Sequence, residues 1–218
     1  MLLAFLEIIP IGIATAVSTM PLLASIAILL SPGRSRVAWP FLIGFGGGML
    51  LMTALFSVGL TFVPDSPVTS PEGTAVIELV IGLLLVGLAV FLYLRRRRPT
   101  RPSAIAAELR RLRPGTAAGF GFVLNLRPKA LILAAAAGVV ISGVSRVFTG
   151  ALVLIIVSVA IGVSSVAVPI VLTQARPAVM EPRLRASQAW IAERQNVFTA
   201  VVTFAVGGFF MVSGILKL

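Results

Sequence analysis

The stretch Val123-Leu-Asn-Leu-Arg-Pro128-Lys-Ala-Leu131 decides the fold, because it puts a proline and two basic residues deep inside an apolar run. Proline lacks a backbone N–H and clashes with the preceding helical turn, so a helix kinks or breaks there. Ala16-Val-Ser-Thr-Met-Pro21-Leu-Leu-Ala24 repeats the arrangement in the first apolar run, with polar residues shortly before its proline. We therefore predict two broken helices, one at Pro21 and one at Pro128.

The apolar runs around these prolines predict a membrane protein. Hydrophobic residues make up 58% of the 218 residues and charged residues only 11%, whereas a soluble domain carries about 25% charged residues. Six runs are each close to the length that crosses a bilayer as a helix. They lie at about 5–30, 38–62, 75–94, 117–142, 147–173 and 196–217. We predict an all-α integral membrane protein with six transmembrane helices and no soluble domain.

The charges of the connections predict an orientation. The second connection carries only Asp65 and Glu72, and the short fourth one carries Arg146. The first, third and fifth are basic: Arg34 and Arg36; Arg95 to Arg98, Arg101, Arg110, Arg111 and Arg113; Arg176, Arg183, Arg185 and Arg194. Basic loops stay in the cytoplasm, so both termini should lie outside. No basic region precedes the first run, which favours a retained span over a cleaved signal peptide.

The two proline stretches lie three spans apart and suggest a repeat. Residues 1–94 and 117–218 would then be two three-helix halves, the second inverted relative to the first because three is odd. The other interpretation is that both prolines are isolated kinks in packed helices. The basic linker 95–116 contains Ile105, Leu109 and Leu112 at helical spacing, so it is either a short amphipathic helix or a solvated segment. A second amphipathic helix is predicted over Pro182 to Gln195, with Trp190 at headgroup depth.

Arg127 and Lys129 are the main candidate binding residues. Arg127 lies some ten residues into the fourth run, about 15 Å along a helix axis, so it should be near mid-bilayer. A charge at that depth is costly and is expected to face the bundle interior. The pair could bind an anionic substrate group with the help of helix N-termini opened at the prolines. In the other interpretation both side chains only snorkel to the cytoplasmic interface.

Uncharged polar residues flank both predicted breaks. They would either line a substrate path or hydrogen-bond neighbouring helices. The complete predicted substrate-binding set is Thr15, Ser18, Thr19, Pro21, Asn125, Arg127, Pro128 and Lys129. Gly44 and Gly48 have the spacing that lets helices approach closely, which also permits a homodimer.

The composition excludes several classes of function. The chain has no cysteine and no histidine, so disulfides, thiolate redox chemistry and Cys/His metal sites are excluded. No nucleophile–base or metal constellation is recognisable, and we predict neither an enzyme nor a cofactor. The net charge of +11 is attributed to membrane orientation and contact with anionic lipid headgroups, not to nucleic acid.

In the order and spacing of its motifs, nearly the whole chain resembles the GAP family of actinobacterial membrane proteins. These are the peptidoglycolipid- and sulfolipid-addressing proteins of the wider lysine-exporter (LysE) superfamily. The motifs are Ser18-Thr-Met-Pro21, Leu29-Leu-Ser-Pro32, Phe41-Leu-Ile-Gly44, Arg127-Pro-Lys-Ala-Leu-Ile-Leu133, Ala137-Gly138, Trp190 to Asn196, Val206-Gly-Gly208 and Ser213-Gly-Ile-Leu-Lys-Leu218. In the family the fourth-span motif usually reads Asn-Pro-Lys, so Arg127 occupies the asparagine position.

The resemblance implies a fold of two inverted three-helix repeats in the plasma membrane. It also implies a role in moving cell-envelope glycolipids across that membrane, with a (glyco)lipid as the substrate. Two other functions stay open: export of amino acids or other small solutes, as by superfamily relatives, and an accessory role beside a larger lipid transporter.

Overall fold

A computed structural model describes residues 2–31, 33–61, 71–94, 113–144 and 148–217. These residues form eight helices and contain no strand, which confirms the predicted all-α class. The helices are α1 (Leu2–Ala16), α2 (Thr19–Leu29), α3 (Arg34–Thr61), α4 (Pro71–Leu94), α5 (Pro114–Val123), α6 (Pro128–Val144), α7 (Phe148–Ala175) and α8 (Pro177–Lys217). A short 3-10 turn, Leu124–Leu126, follows α5.

Helix length and apolarity make the chain a multi-pass membrane protein. Four helices each contain a stretch able to cross a bilayer: Arg34–Gly59, Ala75–Leu94, Thr149–Ala175 and Thr199–Leu216. Two further crossings form if each bent pair of helices counts as one span. The described helices therefore supply four to six spans, in agreement with the six predicted.

Both predicted breaks are present. The axes of α1 and α2 differ by 48°, and those of the α5 segment and α6 by 69°. Pro128 is the first residue of α6 and Pro21 lies in the first turn of α2, where a missing N–H costs no helical hydrogen bond. Ser18 and Arg127, which precede α2 and α6, have extended backbones. Proline disfavours a helical backbone in the residue before it, which accounts for Arg127.

The helices pack between the two halves of the chain. Helices of the first half of the chain, α1 to α4, pack on helices of the second half, α5 to α8. The contacts are α1 with α7, α3 with α5, and α4 with α8. Two clusters of buried apolar residues result, one around Leu85 and Phe210 and the other around Phe41 and Ile170.

Glycines set the close approach of α3 and α5, as predicted for Gly44 and Gly48. A Cβ atom at Gly44 would overlap the backbone of Ala118, and one at Gly48 would lie 2.7 Å from the Nδ2 atom of Asn125. A Cβ atom at Gly121 would lie 2.5 Å from the carbonyl oxygen of Phe41. No side chain fits at these positions without moving one helix.

The last helix departs from the sequence prediction. Pro182 to Gln195 is helical as expected, but it continues into the final span as one helix of 41 residues. At 1.5 Å per residue this helix is about 60 Å long, twice the hydrocarbon thickness. Leu184 is buried in the cluster around Phe41, so one side of this amphipathic segment packs on protein. Trp190 is half exposed. The linker prediction for Ile105 to Leu112, and Arg95 to Arg98, lie outside the described residues.

Candidate functional site

A small cavity of about 20 Å³ lies between the two helix breaks, which is room for one water molecule. Four of the described lining residues are polar and come from different parts of the chain: Thr15, Thr53, Asn125 and Ser158. The other lining residues are Ile11, Met49, Met52, Ala130, Leu133, Ala134 and Ala137. Both halves of the chain thus contribute polar groups to one point in the bundle.

Asn125 ties the second break to α3. It is buried in the 3-10 turn, and its Nδ2 atom donates to the carbonyl oxygens of Phe45, at 3.0 Å, and Gly121, at 3.2 Å. The glycine at position 48 leaves the space that this amide occupies. Because burying an amide is costly unless it is hydrogen-bonded, these bonds hold Asn125 at the edge of the cavity.

Thr15 reaches the cavity from the last turn of α1. Its hydroxyl donates to the carbonyl oxygen of Ile11, 2.9 Å away. The proton of this hydroxyl is therefore used inside its own helix, and the oxygen keeps lone pairs for a second partner.

Ser158 and Thr53 were missed by the sequence analysis. Both are almost completely buried, and the Oγ atom of Ser158 has no hydrogen-bond partner among the described residues. A lone serine or threonine in an apolar helix commonly forms a hydrogen bond with its own backbone. In the sequence, a serine or threonine that binds a ligand therefore cannot be distinguished from one with a purely structural role. Only its position in the cavity that Thr15 and Asn125 also line distinguishes Ser158.

Arg127 lies at the break itself and is half-buried. Its Nε atom donates to the carbonyl oxygen of Leu124, 3.1 Å away, one turn earlier. That bond satisfies a carbonyl left free where the helix stops and leaves the two terminal nitrogens of the guanidinium for another partner.

Lys129 has a buried side-chain nitrogen in the first turn of α6. Its Nζ atom is enclosed by protein, and no described residue forms a hydrogen bond with it. The nitrogen is therefore enclosed by protein, and the two alternatives for its depth in the membrane stay predictions. A buried ammonium without an acceptor is costly, so this position is a candidate for binding a negatively charged group.

The predicted binding residues do not all meet. Of the eight, only Thr15 and Asn125 line the cavity, since Arg127, Pro128 and Lys129 lie beside it at the start of α6. The hydroxyl of Thr19 instead forms a 3.1 Å hydrogen bond with that of Thr199 on α8. Pro21 is buried, and Ser18 forms no side-chain hydrogen bond with the start of α2. Of the four binding residues predicted at the first break, one therefore lines the cavity.

The family match covers both breaks and every residue of the cavity. The family is described as Sap, sulfolipid-1-addressing protein, and its match spans residues 8–216. The chain belongs to this family. No curated protein and no solved structure shows significant similarity to this Sap-family chain. Membership confirms the predicted likeness to sulfolipid-addressing proteins.

A charged cluster joins helix ends of the Sap-family chain at a distance from the cavity. Glu181 of α8 accepts a 2.9 Å hydrogen bond from Arg185. The Nη1 atom of Arg34, at the start of α3, lies 3.6 Å from the Oε2 atom of Glu181. The hydrogen bond from Arg185 and the two positive charges lower the pKa of Glu181. Nearby, the indole N–H of Trp39 donates to the side-chain oxygen of Gln174, 3.0 Å away, which links α3 to the end of α7.

Among the described residues, no three acidic side chains lie close enough together to hold a metal ion. The polar chemistry of the candidate site of this Sap-family chain therefore comes from hydroxyls, one amide and two cations.

Proposed function

We propose that this Sap-family protein moves an anionic lipid or glycolipid of the cell envelope across the plasma membrane. One observation carries the proposal: the Nζ atom of Lys129 is buried without a hydrogen-bond partner in the described part of the chain, beside a helix break. An ionisable residue inside a membrane bundle is costly and rare, so it is by default a candidate for a functional role such as binding a substrate.

The chemistry of this position favours a negative headgroup. A helix N-terminus carries partial positive charge and free N–H groups, and it binds sulfate, phosphate or carboxylate. Lys129 lies in the first turn of α6, and Arg127 precedes that helix. The family description names a sulfolipid-addressing protein, and a sulfolipid carries an anionic sulfur–oxygen group that these donors suit.

The architecture that we propose is two inverted repeats of the LysE type. The first would comprise α1 to α4 and the second α5 to α8, with the broken pairs α1–α2 and α5–α6 as counterparts. The packing between the two halves supports this proposal. The first helix of each half packs on a helix of the other half, α1 on α7 and α5 on α3. Broken helices that meet near the midplane of inverted repeats are a recurrent plan among transporters.

The orientation that we propose puts both termini outside the cytoplasm. The ion pair between Arg34 and Glu181 and the hydrogen bond between Trp39 and Gln174 bring the first and fifth connections to one end of the bundle. Both connections are basic, and basic loops are retained in the cytoplasm. A reporter enzyme that is active only outside the cytoplasm should therefore be active when it is fused to the C-terminus. A reporter that is active only in the cytoplasm should be inactive there.

The decisive experiment replaces Arg127 and Lys129 together by alanine in a strain that lacks the native gene. Lipids extracted from the envelope and from the plasma membrane would be compared at equal protein abundance. We expect the substrate lipid to accumulate in the plasma membrane. Arg113→Ala removes an exposed arginine before α5 and serves as the control, with normal delivery expected. Normal delivery by the double variant would reject the proposal, and saturable amino-acid counterflow in proteoliposomes would favour small-solute export instead.

A further inference from the structure

The cavity between the breaks holds a buried hydroxyl with an unused hydrogen-bonding capacity. Ser158 is 1% exposed and lines the cavity, and its Oγ atom has no partner in the described part of the chain. Leaving such a group unpaired is energetically costly, because it loses its hydrogen bonds to water without replacement. Buried polar groups in proteins are therefore normally paired with protein or with ordered water.

The hydrogen-bond donors and acceptors of the lining residues determine which occupant the cavity can bind. The hydroxyl proton of Thr15 is donated to Ile11, and the amide protons of Asn125 are donated to Phe45 and Gly121. These two residues therefore offer only oxygen lone pairs to an occupant, whereas Ser158 can donate or accept. An occupant that satisfies all three must itself carry an O–H or N–H donor.

The volume of the cavity and the charges near it restrict the possible occupants further. A volume of about 20 Å³ admits a single heavy atom with its hydrogens. No charged residue is among the described lining residues, and the chain adjoining Asn125 and Ala130 carries two basic residues, Arg127 and Lys129. A metal cation would lack a carboxylate ligand and be repelled by these neighbours. An anion would meet the lone pairs of Thr15 and Asn125.

We infer that this cavity is a site for one neutral hydroxyl group, formed by Ser158, Thr53, Thr15 and Asn125. The occupant is either a water molecule or, during transport, a hydroxyl of the lipid headgroup that takes the place of that water. The second source rests on the proposed function. It makes Ser158 and Thr53 specificity residues, because a site built to bind a hydroxyl discriminates against an analogue that lacks it.

The test uses the full chain in phosphatidylcholine nanodiscs, with octyl glucoside and its permethylated form as probes. The two probes differ only in having hydroxyls or methyl ethers on the sugar. We expect octyl glucoside to raise the thermal unfolding midpoint of the wild-type protein and the permethylated form to have little effect. Ser158→Ala should weaken the apparent affinity for octyl glucoside about tenfold, the loss of one hydrogen bond.

Ser164→Ala is the matched control on the same helix. Its hydroxyl bonds the carbonyl of Ile161 within α7 and does not line the cavity, so its response should equal that of the wild type. If Ser158→Ala does not fold, Thr53→Val removes a second hydroxyl of the lining and should have the same effect.

A crystal structure of the lipid-free protein completes the test. Water density bonded to Ser158 would support the site, and a dry cavity would overturn it. If water is present but both glucosides act alike, the headgroup source is rejected and water is the occupant. These readouts use purified protein, so they can fail while the Arg127 and Lys129 variants still abolish lipid delivery, and the reverse also holds.

Discussion

The side-chain amide of Asn125 donates a 3.0 Å hydrogen bond to the backbone carbonyl of Phe45 and so fixes the second helix break against α3. The amide reaches that carbonyl because position 48, one turn further along α3, is glycine. The break and α3 beside it are therefore positioned by one polar contact and one missing side chain.

Gly48→Ala tests this contact. The added methyl group would lie 2.7 Å from the Nδ2 atom of Asn125 and 3.2 Å from the Cα atom of Phe122, so α5 must shift. We expect a loss of about 1–3 kcal/mol in unfolding free energy, as for other overpacked sites. Thermal unfolding in detergent measures it. Gly47→Ala is the control, because nothing lies within 4 Å of a Cβ atom there, and equal effects of both changes would contradict the explanation.

Ser213→Ala probes the packing of α4 on α8. The hydroxyl of Ser213 donates a 2.9 Å hydrogen bond to the Oε2 atom of Glu78, whose side chain is almost completely buried. Removing a donor from a buried carboxyl should cost about 1–3 kcal/mol of unfolding free energy. Ser142→Ala, which loses only a bond to its own helix, should cost less in the same denaturation assay. Equal costs would mean that the Glu78 bond adds nothing.

The ion pairs of Glu181 predict an acid-sensitive contact between α3 and α8. Because its folded pKa is lowered, the ionised carboxylate stabilises the folded form above the usual glutamate pKa of about 4.3. That stabilisation is lost as the pH falls through the folded pKa. We expect Glu181→Gln to increase hydrogen exchange near Arg34 at pH 7. The difference from the wild type should vanish under strong acid, and a difference that persisted would exclude the carboxylate as its source.

The helix breaks could be predicted because Pro21 and Pro128 each follow polar residues within an apolar run, and Thr15 and Asn125 before them were recognisable as candidates. Proline alone does not decide a break, since four other prolines lie inside continuous helices: Pro10, Pro40, Pro169 and Pro182. The spacing of Gly44 and Gly48 likewise predicted a close contact that the structure contains.

The partners across the bundle could not be predicted from the sequence. Ser158 lines the cavity and Thr19 bonds Thr199 only because particular faces of α7 and α8 turn inward, which hydrophobic periodicity cannot specify when lipid-facing and buried positions are both apolar. The depth of Lys129 was ambiguous for a related reason. Its long side chain can reach either an interface or an interior from the same backbone position.

Two single substitutions at the second break separate binding from folding. Lys129→Met keeps most of the length of the side chain but removes a buried nitrogen that has no described partner, and replacing a buried charge by an apolar group is often neutral or stabilising. We expect unchanged or higher thermal stability together with loss of lipid delivery. Arg127→Asn restores the amide that the resemblance places at this position, and it should keep delivery within a few-fold of the wild type. Parallel unfolding curves and envelope lipid extracts measure both quantities. If Lys129→Met unfolds early, or if it delivers lipid normally, Lys129 is not the residue that receives the anionic headgroup.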